Sequence, residues 1–263
     1  MTLTPILPRA IAVDLVDELL AFGRGRLAKA SLPDAIALRD ALVEPFADDL
    51  GDYFGAMADR VLGPISKAMP ISWNPVDDVD WTVEEAELET VLARWYTTMG
   101  EEAFAAVSDQ LAIELRFDIG DRAVAGIRDR IGTQVRGIAE ASRAVLVDQV
   151  ALATDRGYSI EQLVRGVDTF PGLRGLFDSW SSTRATTIAL TETANAYNLA
   201  SLAGYASSGL VETVDVYDGP DCGWTSHDDA DLAAGSIRTL VEAAARPISH
   251  PRCQRAFGPV VIR

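Results

Sequence analysis

Histidine and cysteine are scarce in this chain, with two of each in 263 residues. Two cysteines are too few for the disulfide framework of a small secreted scaffold, and they fit a reducing compartment. Nowhere is there an unbroken apolar run of the roughly 18 residues that a membrane helix needs. Asp14, Asp17 and Glu18 interrupt the N-terminal stretch where an export signal would lie, so neither membrane insertion nor export is expected. Basic residues are also in short supply. Twenty-three Lys and Arg face 39 Asp and Glu, a net charge of −16, which argues against a surface that grips nucleic acid all over, because phosphate binding works by replacing counterions with cationic side chains. The sequence carries no H-E-x-x-H, G-x-S-x-G or P-loop signature. What it does have is 48% apolar residues, ample for a packed core.

The scarce residues are not scattered. Cys222, His227, His250 and Cys253 fall within one short stretch. Thiolate and imidazole are preferred ligands of Zn²⁺, and a structural site closes a tetrahedron with four of them. C-x4-H and H-x2-C each let one turn present two ligands, while the insertion between them returns the chain. The order differs from the commonest zinc-finger pattern. A Cys222–Cys253 disulfide and four unrelated residues are the alternatives, and zinc is the leading expectation. A unit of about fifty residues buries little surface by itself, and a bound metal is one way to hold it together.

The first two-thirds of the sequence reads as successive helices. Ser31 with Pro33 and Asp34, and Thr82 with Glu85, carry helix-start patterns. Pro64 interrupts one helical pattern, and residues 69–81, with Pro70 and Pro75, form the expected linker after a helical region 1–68. Val124, Ile127, Ile131, Val135 and Ile138 recur at three- and four-residue steps, predicting an amphipathic helix over 121–153 with Arg122, Asp129, Arg130 and Glu140 on its solvated side. Gly157 stops it, and Ser159 with Gln162 starts the next helix through a capping box. A further helix is expected over 181–207, ended by Gly209. Only then does the period change to two, at Val211, Thr213 and then Val214, Val216; residues 257–262 make a second candidate strand that could pair with the first. The expected fold is therefore mainly α: a multi-helix body, residues 82–209, followed by a small α+β C-terminal domain, residues 210–263, with a zinc staple.

Two local motifs carry a family resemblance. One is the helical run Arg184-Ala185-Thr186-Thr187-Ile188-Ala189-Leu190-Thr191-Glu192-Thr193-Ala194-Asn195-Ala196-Tyr197-Asn198; the other is Asp218-Gly219-Pro220-Asp221-Cys222 leading to His250-Pro251-Arg252-Cys253-Gln254-Arg255. Together they resemble the Mu-F-like phage head morphogenesis (minor capsid) proteins, over about residues 118–260. His227 stands where many members have a second cysteine, and Gln254-Arg255 replaces the final Arg-Cys. The resemblance implies a minor structural protein of a tailed-phage head, inside the capsid near the portal and in the host cytoplasm during assembly. Its implied partners are the portal protein, a major capsid or scaffold protein and packaged DNA, with no membrane.

Within the motif helix, Arg184, Thr191, Glu192 and Asn195 are expected to form a polar network. The late arginines Arg238, Arg246, Arg252 and Arg255 are candidate phosphate contacts, and pairing with the acidic cluster that includes Asp215 and Asp218 stands slightly ahead of that role. No catalytic residue is expected. Asp228 beside His227 would be the proton shuttle of a zinc enzyme, and Cys222 or Cys253 with His250 a nucleophile pair, but the deaminase spacing is absent and His250-Pro251-Arg252-Cys253 suits joint ligation better than attack. The alternatives to a head protein are a cytosolic zinc-stapled interaction or nucleic-acid-associated module and, third, a head maturation hydrolase.

Overall fold

The computed structural model describes residues 32–65, 73–120, 125–218, 233 and 235–261. The described elements are α1 (Leu32–Ala41), α2 (Val43–Ile65), α3 (Trp81–Leu111), α4 (Ala125–Asp155), α5 (Ile160–Arg165), α6 (Gly172–Ser179), a π turn (Trp180–Arg184), α7 (Ala185–Ser208), β1 (Val211–Tyr217), β2 (Ile237–Thr239), α8 (Leu240–Ala245) and β3 (Ala256–Val261). The protein is mainly helical with one small antiparallel sheet, ordered β2-β1-β3.

Helical periodicity explains the body. On α2, Phe46, Leu50, Phe54, Met57, Val61 and Ile65 are buried along one stripe. On α4 the buried residues include Ile127, Ile131, Val135 and Ile138, the stripe read from sequence from Ile127 onward; Arg122 and Val124 lie outside the described residues. α7 differs, because it is buried on most of its circumference. Its Ala and Gly residues allow that: a Cβ at Gly204 would stand 3.3 Å from Val107 of α3, so the helices approach closely. α2 approaches the π turn in the same way, with the Ser181 carbonyl 2.6 Å from where a Gly51 Cβ would be.

Helix ends follow local chemistry. Ser159 and Gln162 form the capping box of α5, and Gly209 closes α7 at φ 66°. At α3 the expectation needs correction: the cap is Asp80, whose carboxylate accepts from the N–H groups of Thr82 and Val83. An acid two residues before Thr82 is a better partner for the first-turn amides than the Thr82 hydroxyl. The helix expected over 181–207 is α7, with residues 181–184 in the π turn that joins it to α6, a helix the sequence reading did not include. Ser31 lies outside the described residues.

One apolar core runs from Phe46 and Leu50 through Leu88, Leu92 and Met99 to Ile131, Leu146 and Ala189. The stretch expected as a linker therefore joins two parts of one core, and the helices before it pack with those after it. Among the described residues no helix is long and apolar enough to cross a membrane.

The two expected strands pair. β1 and β3 are antiparallel, from Val211 opposite Val261 to Tyr217 opposite Ala256, with a register shift between Val211 and Thr213. That irregularity explains why Val211 and Val214, three residues apart, are both buried. The sheet does not form its core alone. Val211, Val214, Val216, Ala243 and Phe257 cluster with Val107, Leu111, Leu202 and Tyr205 from the ends of α3 and α7. The helical body thus supplies apolar surface that the small C-terminal unit lacks.

Candidate functional site: the motif helix and the C-terminal turn

The polar residues of α7 divide between two tasks. Glu192 and Asn195 face the body. Glu192 is buried and accepts from the Tyr96 hydroxyl of α3 at 2.5 Å, while Arg130 of α4 approaches it at 3.3 Å. The Asn195 carboxamide joins them, its oxygen facing the Arg130 guanidinium. Burial, and then the Glu192 carboxylate, push the Tyr96 phenol well above its ordinary pKa, so it remains a donor.

Arg184 is not part of this group, contrary to expectation. Its guanidinium donates to Ser142 Oγ at 3.0 Å and to the Ile138 carbonyl at 3.2 Å, and lies 4.7 Å from the Trp180 ring centroid. Helical side chains lean toward the N-terminus, so an arginine two turns before Glu192 leans away from it. The cation that does reach Glu192 is Arg130, which the sequence reading put on the solvated side of its helix.

Thr191 and Asn198 face the C-terminal segment. His250 to Cys253 is a tight turn, closed by the Cys253 N–H donating to the His250 carbonyl at 3.1 Å. Pro251 occupies its second position and Arg252, at φ 64°, its third, the residue preferences of a type II turn except for the missing glycine. Thr191 Oγ1 accepts from the Arg252 N–H at 3.1 Å, while its own hydroxyl donates to the Thr187 carbonyl at 2.7 Å. Asn198 Nδ2 donates to the carbonyls of Pro247 at 2.8 Å and Arg255 at 2.9 Å. Arg39 of α1 donates to the same Arg255 carbonyl at 2.9 Å. Tyr205 completes the seam, its hydroxyl donating to Gln110 Oε1 at 2.5 Å and lying 3.3 Å from the Phe257 carbonyl.

The turn conformation gives a test of Arg252. A left-handed arginine is strained by about 1–2 kcal/mol, so Arg252→Gly should leave urea stability unchanged or raise it by up to about 1 kcal/mol, after the entropy glycine adds to the unfolded chain. A clear loss would show that the arginine side chain holds the turn.

Behind the turn lies a buried ion pair. Asp218 follows β1 and Arg255 precedes β3, so they stand opposite each other one step beyond the Tyr217–Ala256 pair. Arg255 Nε donates to Asp218 Oδ1 at 2.7 Å and Nη2 to Oδ2 at 3.2 Å, with side-chain exposures of 0% and 2%. This is a bidentate, water-excluded pair. It corrects the phosphate-contact expectation for Arg255, whose charge is committed inside the protein. Arg252 is exposed, Arg246 is exposed and Arg238 is half-buried on β2.

Neither family models, nor curated proteins, nor solved structures match this chain. Its chemistry rests on its own geometry. Of the four expected metal ligands, Cys222 and His227 lie outside the described residues. Cys253 is buried and His250 half-buried, in one turn. His250 Nδ1 lies 2.7 Å from the Pro251 carbonyl. Among the described residues, no group of three or more His, Cys, Asp and Glu side chains is placed to hold a metal ion.

Two participants escape the sequence reading, whereas Asp218 does not. Tyr96 and Arg39 gave no signal, since one sits in an apolar stripe and the other looks like an ordinary helical arginine. Asp218 was visible as the head of the aspartate loop and as a member of the acidic cluster, and its partner was one of the arginines considered for pairing.

Proposed function

We propose that this protein is a minor structural component of a tailed-phage head, associated with the portal and acting in head morphogenesis, and that its C-terminal unit holds a structural Zn²⁺ through Cys222, His227, His250 and Cys253. The observation that supports this reading most is the meeting of the two motifs that carry the resemblance. Thr191 and Asn198 of the motif helix bind the backbone of the turn and strand approach at Arg252 and Arg255. A shared structural job explains why both motifs occur together in one chain. His250 and Cys253 share one turn, and imidazole and thiolate are ligand types that zinc prefers. Bound zinc would cross-link the turn to the segment carrying Cys222 and His227, without supplying a reaction.

In this reading the helical body docks on the portal or on a major capsid or scaffold protein, and the acidic surface limits indiscriminate attachment to packaged DNA. Co-expression with the portal protein of the same phage tests it. The expected result is co-purification with portal and procapsid, with one zinc per chain by elemental analysis; failure to associate with either assembly overturns the assignment. Cys253→Ser should lose the zinc, and retention of full stoichiometry would remove Cys253 from the ligand set.

A further inference from the structure

Three parts of the chain hold the turn that carries His250 and Cys253. From α7, Thr191 accepts the Arg252 N–H, and Asn198 donates to the Pro247 and Arg255 carbonyls, so the segment is fastened on both sides of the turn. From α1, Arg39 donates to the Gln254 carbonyl at 3.3 Å and to that of Arg255 at 2.9 Å. Just past β1, Asp218 pairs with Arg255. The turn also closes on itself through the Cys253 N–H and the His250 carbonyl. All of these contacts are made by groups other than the His250 imidazole and the Cys253 thiol.

The sheet is equally independent of those two side chains. β3 pairs along the whole of β1, and Phe257 clusters with Val107, Leu111, Leu202 and Tyr205 of the helical body. A small metal domain that folds only with its ion lacks such a core; there the ion itself gathers the ligands, and binding free energy is folding free energy. In this chain, tertiary contacts have already placed the backbone that presents His250 and Cys253.

We propose, taking the four-ligand zinc site as given, that the C-terminal unit folds without metal and that zinc is a removable clamp. The ion binds a His250–Cys253 pair whose backbone is already in position, and ties Cys222 and His227 to it. Loss of the ion releases Cys222 and His227 from the turn, while the seam between α7, β1 and β3 stays closed. Metal supply therefore switches one cross-link and not the folding of the unit.

The test uses the full chain, loaded with zinc and then stripped with a chelator, with zinc per chain counted by elemental analysis at each stage and amide exchange followed by NMR. Stripped protein should keep its far-ultraviolet circular dichroism, and the amides of β1 and β3 should stay protected roughly a hundredfold or more over the unfolded chain. The Arg252 and Cys253 amides, donated to Thr191 and His250, should still exchange at least about tenfold more slowly than in the unfolded chain. Cys222→Ser should bind no zinc and show the same protected β1 and β3. Zinc uptake by the loaded protein, followed on stripping by free exchange through β1 and β3 while α3 and α4 stay protected, overturns the clamp and leaves the zinc site standing. A chain that takes up no zinc at all removes the ligand assignment instead, and the clamp falls with it.

Discussion

Arg255→Met should destabilise the protein by about 3–5 kcal/mol, because it leaves the Asp218 carboxylate buried without its partner. The pair is almost completely shielded from water, so neither group can turn outward to recover solvation. Replacing both members, Arg255→Met with Asp218→Leu, should restore most of the loss, since no charge is then stranded. Arg255→Lys should not rescue, because an ammonium cannot reproduce the two-pronged contact made by Nε and Nη2. Urea unfolding of the four proteins measures all of this. If Arg255→Met cost less than about 1 kcal/mol, the pair would be behaving as a solvated surface contact.

Glu192→Leu is the second large expected effect, a loss of about 3 kcal/mol. The cost falls unevenly on the partners. Arg130 keeps 31% of its side-chain surface exposed and can turn toward water, whereas Tyr96 is fully buried and its hydroxyl cannot. Glu192→Gln keeps an acceptor for that hydroxyl and should cost only about 1–2 kcal/mol. Combining Glu192→Leu with Tyr96→Phe should recover much of the difference, and strict additivity in this double-mutant cycle would show that the two side chains are not coupled.

Much of the architecture was legible because it follows from short-range rules. The α4 stripe, the Ser159 capping box, the Gly209 stop and the β1–β3 pairing each depend on residues a few positions apart or on a change of period. The missed β2 and α8 are a three-residue strand and a six-residue helix, too short to show a period. Long-range electrostatics were less readable. Glu192 was rightly singled out as a buried polar residue, but choosing Arg130 over Arg184 required knowing how α4 lies against α7. Sequence leaves Arg255 open to phosphate or to any of the preceding acids; Asp218 is its partner because strand register sets the two opposite each other. The expected need for a metal to hold the C-terminal unit assumed an isolated unit of about fifty residues, whereas Val107, Leu111, Leu202 and Tyr205 extend its core from outside.

The Arg255 carbonyl, gripped by both Arg39 and Asn198, joins positions 216 and 57 residues apart in the chain. Synthesis proceeds from the N-terminus, so α1 emerges long before the strand approach it must clasp. Until residues 255–261 leave the ribosome, the Arg39 and Asn198 side chains lack that acceptor and β1 lacks β3. Closure of this seam therefore waits on residues 255–261, and a nascent chain arrested before they emerge should show protected amides in α3 and α4 but open ones along the β3-facing edge of β1.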